Sequence, residues 1–333
     1  MKPTGPLLML TAFQGLAGGA VLALALMISL APHDIPAGGR EWALGLALAF
    51  AALGGVSSFF HMHRIQAAKY VLRRLKTSWL SREALTTGLF GGALALNAVV
   101  GLLDHWQGGL FIAITWLAAF AGFIAMFVTA MLYATIPAML SWHSPLTVLV
   151  LLVLGWLSGS EVTLAFAAAR GERIATSVLL ALIVVAALMK GLQWHFFTLA
   201  RRRVSAKTGA GLPRGPYRLQ DTGTTRPPYR TQTQIYPEMD PGQRILVMAF
   251  VLLTLVIVPA LGILGWMLDR AAWMMAAAAI VGAIGVFAER WLFFRDATHS
   301  SRVWFTDEAH HPSRVATHRF RRPHLRFSRQ MES

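Results

Sequence analysis

Apolar residues run along this chain in eight long stretches, roughly 6–31, 42–60, 84–103, 109–133, 146–169, 174–200, 244–268 and 271–294. At about 1.5 Å per helical residue, each is long enough to cross a hydrocarbon core of about 30 Å. Backbone N–H and C=O groups in lipid must be bonded within the segment, so the stretches are expected to be helices. The pattern predicts an all-α integral membrane protein, an eight-helix transmembrane bundle. Its bundle domain takes in residues 1–294, including a polar arm at 201–243, and a basic tail follows at 295–333. The first stretch lies where a secretory signal would, but it is too long for such a core. No small-x-small cleavage site follows Leu30-Ala31-Pro32, and no twin-arginine signal is present. A retained helix is expected.

The polar intervals set the orientation. Residues 61–83 carry six Lys/Arg and one acid, and Lys2, the interval 201–244 and the tail from Arg295 are also basic. The intervals on the other side hold Arg40, Arg170, Arg173 and Arg270. Basic loops stay in the cytoplasm, so both termini are expected there, in a bacterial inner membrane. The arm 201–243 holds six of the fifteen prolines and three of the five tyrosines (Tyr217, Tyr229 and Tyr236). An arm lying on a partner fits this composition as well as a disordered linker does. The tail interleaves basic residues with Trp304, Phe305, Phe320 and Phe327.

Composition narrows the chemistry. Hydrophobic residues make up 56% of the chain and charged ones 14%. The net charge of +15 would suggest nucleic acid in a soluble protein. Here it lies in loops and tail, where membrane topology and anionic lipid headgroups account for it, and no nucleic-acid partner is expected. The absence of cysteine excludes disulfides and thiolate-held iron–sulfur clusters from this chain. A b-type haem needs two facing histidines; His61 and His195 are the available pair, no span holds two, and no haem is expected.

Ionisable residues inside a bilayer are costly and ask for a reason. His61, Glu83, His143, beyond Tyr133, His195, Glu289 and Arg290 all fall toward the end of the bundle assigned to the cytoplasm. A quinone head has two carbonyl oxygens that accept hydrogen bonds, and its reduction consumes two protons. A His or Tyr can donate and a carboxylate can relay. Taken singly, Glu289 and Arg290 also fit a structural ion pair, Lys190 fits a snorkelling side chain, and Glu161 stays unassigned.

The motifs resemble the membrane anchor subunit of the dimethyl sulfoxide reductase family over about residues 8–296. Gln14-x-x-Ala17-Gly18-Gly19 looks like the family's opening helix, with small residues that permit close packing. His61-Met62 stands at its His-Leu position, and Ser78-Trp79-Leu80-Ser81-Arg82-Glu83 is similar to its Ser-x-Leu-Ser-x-Glu segment. Tyr133-x-Thr135-Ile136-Pro137, with Trp142 and Pro145, matches the turn between spans four and five. Glu289-Arg290-x-Leu292-Phe293-Phe294 resembles the ending of the last helix. Departures are His63 for a glycine, Arg64-Ile65 for Ser-Pro, and the long arm and tail.

The resemblance implies a heterotrimer with a molybdopterin catalytic subunit and a four-cluster iron–sulfur subunit. The anchor would exchange electrons between the nearest cluster and a membrane quinone, ubiquinone or menaquinone. It implies quinone roles for His61 and Glu83. The wider expected set is His61, Arg64, Trp79, Ser81, Arg82, Glu83, Tyr133, His143, Glu289 and Arg290, with no metal ligand on this chain. One quinone is expected between spans two, three, four and eight. The positive face favours cytoplasmic catalytic subunits and the sulfite-oxidising branch. A dimethyl sulfoxide reductase-type terminal reductase oxidising quinol is the alternative. A secondary transporter, or an assembly protein without redox role, stands further off, because the polar groups gather at one face and no inverted repeat is evident.

Overall fold

The computed structural model describes residues 3–30, 32–33, 35, 38–61, 65–168, 173–203, 239–268 and 271–300. Among them are eight α-helices: α1 Gly5–Leu30, α2 Gly39–His61, α3 Trp79–Leu103, α4 Gly109–Ala134, α5 Pro145–Ala168, α6 Arg173–Arg203, α7 Pro241–Met267 and α8 Ala271–Arg295. Each overlaps one of the expected apolar stretches. A 3-10 helix, Ile65–Arg74, lies between α2 and α3. Among the described residues, five segments are long and apolar enough to cross a membrane: Gly5–Leu30, Gly39–Phe60, Trp79–Leu103, Gly109–Ala134 and Ile183–Ala200. Pro145–Ser160 and Pro241–Leu255 are shorter apolar stretches. The fold is an all-α membrane bundle.

Several helices begin where side chains can take up unpaired N–H groups. Ser78 caps α3, with its Oγ 3.4 Å from the Ser81 N–H. This start lies more than a turn before the onset expected from hydropathy at residue 84, because a serine cap, rather than the first apolar residue, decides where a helix begins. Ser81, Arg82 and Glu83 therefore belong to α3 and not to the loop. Asp240 accepts from the N–H groups of Gly242 (2.8 Å) and Gln243 (3.2 Å), and Pro241 occupies the first helical position of α7, where no N–H is needed. Ser144 Oγ accepts from Leu146 N–H (3.2 Å) at the start of α5. Replacing Ser78 with alanine is expected to destabilise the fold by about 1 kcal/mol. A lowered thermal midpoint with unchanged helix content by circular dichroism would register it.

α1 runs through the middle of the bundle, buried along most of its length and packed on α2, α4 and α5. Its crossing with α5 is made of glycine on both sides. Gly15 and Gly19 lie four apart on α1, and Gly155 and Gly159 four apart on α5. A Cβ on Gly19 would meet Gly155 O at 2.5 Å and Gly159 Cα at 2.8 Å. Lipid tails are as apolar as leucine, so helices in a bilayer associate through such close backbone contact rather than through hydrophobic exclusion of water. The outer faces carry exposed Leu89, Leu96, Val99, Leu117, Phe120, Leu188 and Leu192, as lipid-facing surfaces do.

Neighbouring helices alternate in direction. The starts of α1, α3, α5 and α7 therefore share one end with the finishes of α2, α4, α6 and α8. Thr198 near the end of α6 lies 3.5 Å from Arg244 at the start of α7. Arg244 in turn donates from Nε to both Asp296 oxygens, at 3.1 and 2.9 Å, just beyond α8. The chain after α8 folds back on the α4–α5 turn. Leu140 N–H donates to Thr298 O (3.0 Å), Ser300 N–H to Ala138 O (2.8 Å) and Thr298 N–H to Ser141 Oγ (2.8 Å). Residues 296–300, assigned to the tail from the sequence, are thus part of the folded end. At the opposite end Arg40 donates to Trp106 O at 2.6 Å, and His105 and Trp106 hold positive φ values of 48° and 63° in the α3–α4 turn.

Candidate functional site

The loop-61–83 end of the bundle contains two separate buried polar networks. The first joins α1, α3 and α4. Glu83 is buried one turn inside α3, and its Oε1 lies 2.7 Å from Thr129 Oγ of α4. The same hydroxyl lies 2.9 Å from Gln14 Oε1 of α1, and Gln14 Nε2 donates to Thr87 Oγ at 3.3 Å. Thr129 has one hydroxyl hydrogen, so the chain has two states. With a protonated Glu83, donation runs Glu83 to Thr129 to Gln14 to Thr87. With a carboxylate, the Thr129 hydrogen turns to Glu83 and the Gln14 amide presents its NH2 side instead, which the assignment of amide atoms permits. Gain and loss of a proton at Glu83 are thereby tied to rotation of a neighbouring hydroxyl.

The second network joins α6 and α8. Lys190 Nζ donates to Glu289 Oε1 and to Gln193 Oε1 (2.6 Å), and it sits 5.5 Å from the centre of the Trp194 ring. Arg290 Nη1 lies 3.2 Å from Glu289 Oε2. Lys190 is fully buried, not snorkelling as its place in an apolar span suggested. The reason is across the gap: Glu289 supplies a counter-charge that only the tertiary arrangement provides.

Tyr133 lies within electrostatic range of both Glu83 and Arg290. Its ring is buried edge-on against Trp142, Phe293 and Phe294 at 5.3, 5.7 and 5.5 Å. Trp142 stacks on Phe293 at 5.2 Å and donates from Nε1 to its carbonyl at 3.2 Å. The α4–α5 turn motif and the last-helix motif, far apart in sequence, form this one aromatic wall.

The other expected residues are distributed differently. Arg82 donates to the carbonyls of Leu75 (2.8 Å) and Lys76 (2.7 Å), and its guanidinium lies 4.4 Å from the centre of the Trp79 ring. Arg82 and Trp79 thus clasp the basic loop onto α3. Ser81 is buried and its N–H points to the Ser78 cap. His143 is exposed in the α4–α5 turn, with Nδ1 2.8 Å from Ala134 O. His195 is on the exposed face of α6. His61 ends α2, but its side chain, Arg64, the side chain of Glu161, the arm over 204–238 and the tail beyond residue 300 lie outside the described residues. Sequence reasoning did not single out Thr129, Thr87, Gln193 or Trp194, and named Gln14 only as part of the opening-helix motif. Lys190 and Gln193, three apart within one apolar span, carried a signal of a shared buried face.

The first network offers the donor, acceptor and proton-relay groups that a quinone head would need. Its buried carboxyl is linked to a hydroxyl that can supply or take a proton, beside an aromatic and apolar wall. A family model described as DMSO reductase anchor subunit (DmsC) matches residues 3–294. The chain belongs to this anchor family. A sulfite dehydrogenase subunit of Allochromatium vinosum is 27% identical over 333 residues, covering 93% of this chain and all of that relative. The chain is thus a multi-pass membrane anchor subunit of an oxidoreductase complex. The resemblance expected over about 8–296 coincides with the match. In this anchor the four family motifs that lie among the described residues converge on the loop-61–83 end: Gln14 and Glu83 in the first network, Tyr133 and Trp142 in the aromatic wall, and Glu289 and Arg290 in the second network.

Proposed function

We propose that this anchor passes electrons between a partner iron–sulfur subunit and a membrane quinone, in a complex whose molybdopterin subunit oxidises sulfite to sulfate. The observation that carries the reading is the buried Glu83–Thr129–Gln14 network at the end of the bundle that bears the basic loop. A bound quinone supplies a two-electron acceptor that also takes up two protons on reduction. Sulfite and water together release two electrons and two protons in forming sulfate, so the overall exchange balances. Glu83 holds and delivers a proton at its carboxyl, Thr129 reorients to follow it, and Gln14 orients Thr129. The packed rings of Tyr133, Trp142, Phe293 and Phe294 keep bulk water from this region.

Basic residues in the short loop 61–83 support a cytoplasmic position for this end, in a bacterial inner membrane. The polar arm and basic tail, with 24 Lys/Arg on that side in all, suit acidic partner surfaces and anionic lipids. The relative's name, that of a sulfite dehydrogenase component, favours sulfite as the electron source, while the family description favours a terminal reductase running the other way. Two measurements separate them. A cytoplasmic reporter fused at Leu72 is expected to be active, and a periplasmic one silent. Membranes holding the complex are expected to reduce added quinone when given sulfite. A periplasmic loop, or quinol oxidation by dimethyl sulfoxide with no response to sulfite, would establish the reductase instead.

A further inference from the structure

The Lys190 network contains more donors than it uses. Among the described residues, Arg290 Nε, Gln193 Nε2 and Trp194 Nε1 are buried without a hydrogen-bond partner, while Arg290 Nη1 and Glu289 Oε2 face each other at 3.2 Å. All five side chains are at most 5% exposed. Buried N–H groups without partners are rare and mark a missing acceptor.

Among the described residues α6 packs on α5 and α7 but makes little backbone contact with α8. The long side chains of Lys190 and Glu289 bridge the gap instead. Beside it lies an apolar patch of Trp194, Met239, Val251 and Leu292. An acceptor oxygen on an apolar body matches donors on one side and this patch on the other. Glu289 lies six residues before the end of α8, about 9 Å along the axis. A phosphate headgroup drawn that deep would carry its charge into the hydrocarbon, whereas a neutral carbonyl would not.

We propose that Arg290, Gln193 and Trp194 form a second quinone-head site, separate from the one at Glu83, with Lys190 and Glu289 holding its donors in place. The inference rests on the quinone reading above and adds a second location to it. The two networks share no residue and lie on different helix interfaces, α1–α3–α4 and α6–α8. Arg290 and the Trp194 N–H would bind carbonyl oxygen. Lys190 and Glu289 are positioning residues.

The test is the quinone content of the complex purified in mild detergent, by solvent extraction and chromatography, alongside total phospholipid. The wild-type complex is expected to carry about two quinones per anchor, and Arg290→Met about one, at unchanged phospholipid. Arg290→Met leaves the Lys190–Glu289 pair charge-balanced, which favours folding. Trp194→Phe removes the indole N–H together with the pyrrole half of the ring while keeping an aromatic side chain, and should weaken retention of the same quinone about 10-fold, scored by washing with detergent. A complex with a single quinone, lost in Glu83→Gln and kept in Arg290→Met and Trp194→Phe, would overturn the second site and leave the proposed function standing. Loss of phospholipid rather than quinone in Arg290→Met would assign the donors to a lipid headgroup. A wild-type complex with no quinone would sink both.

Discussion

Replacing Glu83 with glutamine is expected to lower quinone-coupled turnover about 100-fold, the scale of a lost proton-transfer group. Glutamine keeps the size of the side chain and can still bond Thr129, whose Oγ lies 2.7 Å from Glu83 Oε1, so the bundle should assemble. What it removes is the carboxyl that gains and loses a proton. The measurement is turnover of the purified complex with a quinone analogue, set against turnover with a soluble artificial acceptor that takes electrons directly from partner subunits. A fall in the first with the second unchanged places the proton step at Glu83. An equal fall in both would make Glu83 a structural residue, and no fall in either would move the relay elsewhere. Thr129→Val should show the same selectivity with a smaller loss, because it leaves the carboxyl in place and removes only the hydroxyl that follows it.

The largest structural effect is expected at Gly159. A Cβ there would sit 2.4 Å from both Ala20 N and Leu16 O and 2.5 Å from Gly19 Cα. These are backbone atoms of α1, so no side-chain rotation relieves the clash and the two helices must separate. Gly159→Ala is expected to destabilise the bundle by about 3 kcal/mol, at the upper end for overpacking, and to reduce the amount of chain in membranes. Gly191 is the control. It lies in α6 with nothing within 4 Å of its would-be Cβ, and alanine there should leave the thermal midpoint unchanged or raise it slightly. Equal effects at the two positions would mean that the loss reflects glycine itself and not the α1–α5 crossing.

Much of the architecture was legible in the sequence because a bilayer allows few solutions. Long apolar stretches must be helices, and each of the eight coincides with one. Helix starts were less legible. The onset of α3 depends on Ser78, and an apolar count reads past the polar first turn that holds Ser81, Arg82 and Glu83. The glycines of α1 were recognised as a close-packing surface, but nothing along the chain identified Gly155 and Gly159 as the surface they meet. The functional end was read partly. Glu83, Tyr133, Glu289 and Arg290 were identified as costly or family-marked residues near one face, and each proves to be buried there. Their grouping was not read: the expected residues fall into two networks on different helix interfaces, and Arg82, Trp79 and His143 make their contacts with the loop and the turn.

What the sequence determined by itself is therefore the fold class, the helices and the basic side of the bundle. These follow from local quantities: hydropathy over about twenty residues, the hydrogen-bonding needs of a backbone in lipid and the count of cations in each loop. Only the tertiary structure decided which polar side chains face one another. Lys190 became a buried partner of Glu289, rather than a snorkelling cation, because α6 and α8 bring the two charges together from positions 99 residues apart. A buried charge is stable only beside its counter-charge, and that pairing is a property of helix positions, which no local pattern records.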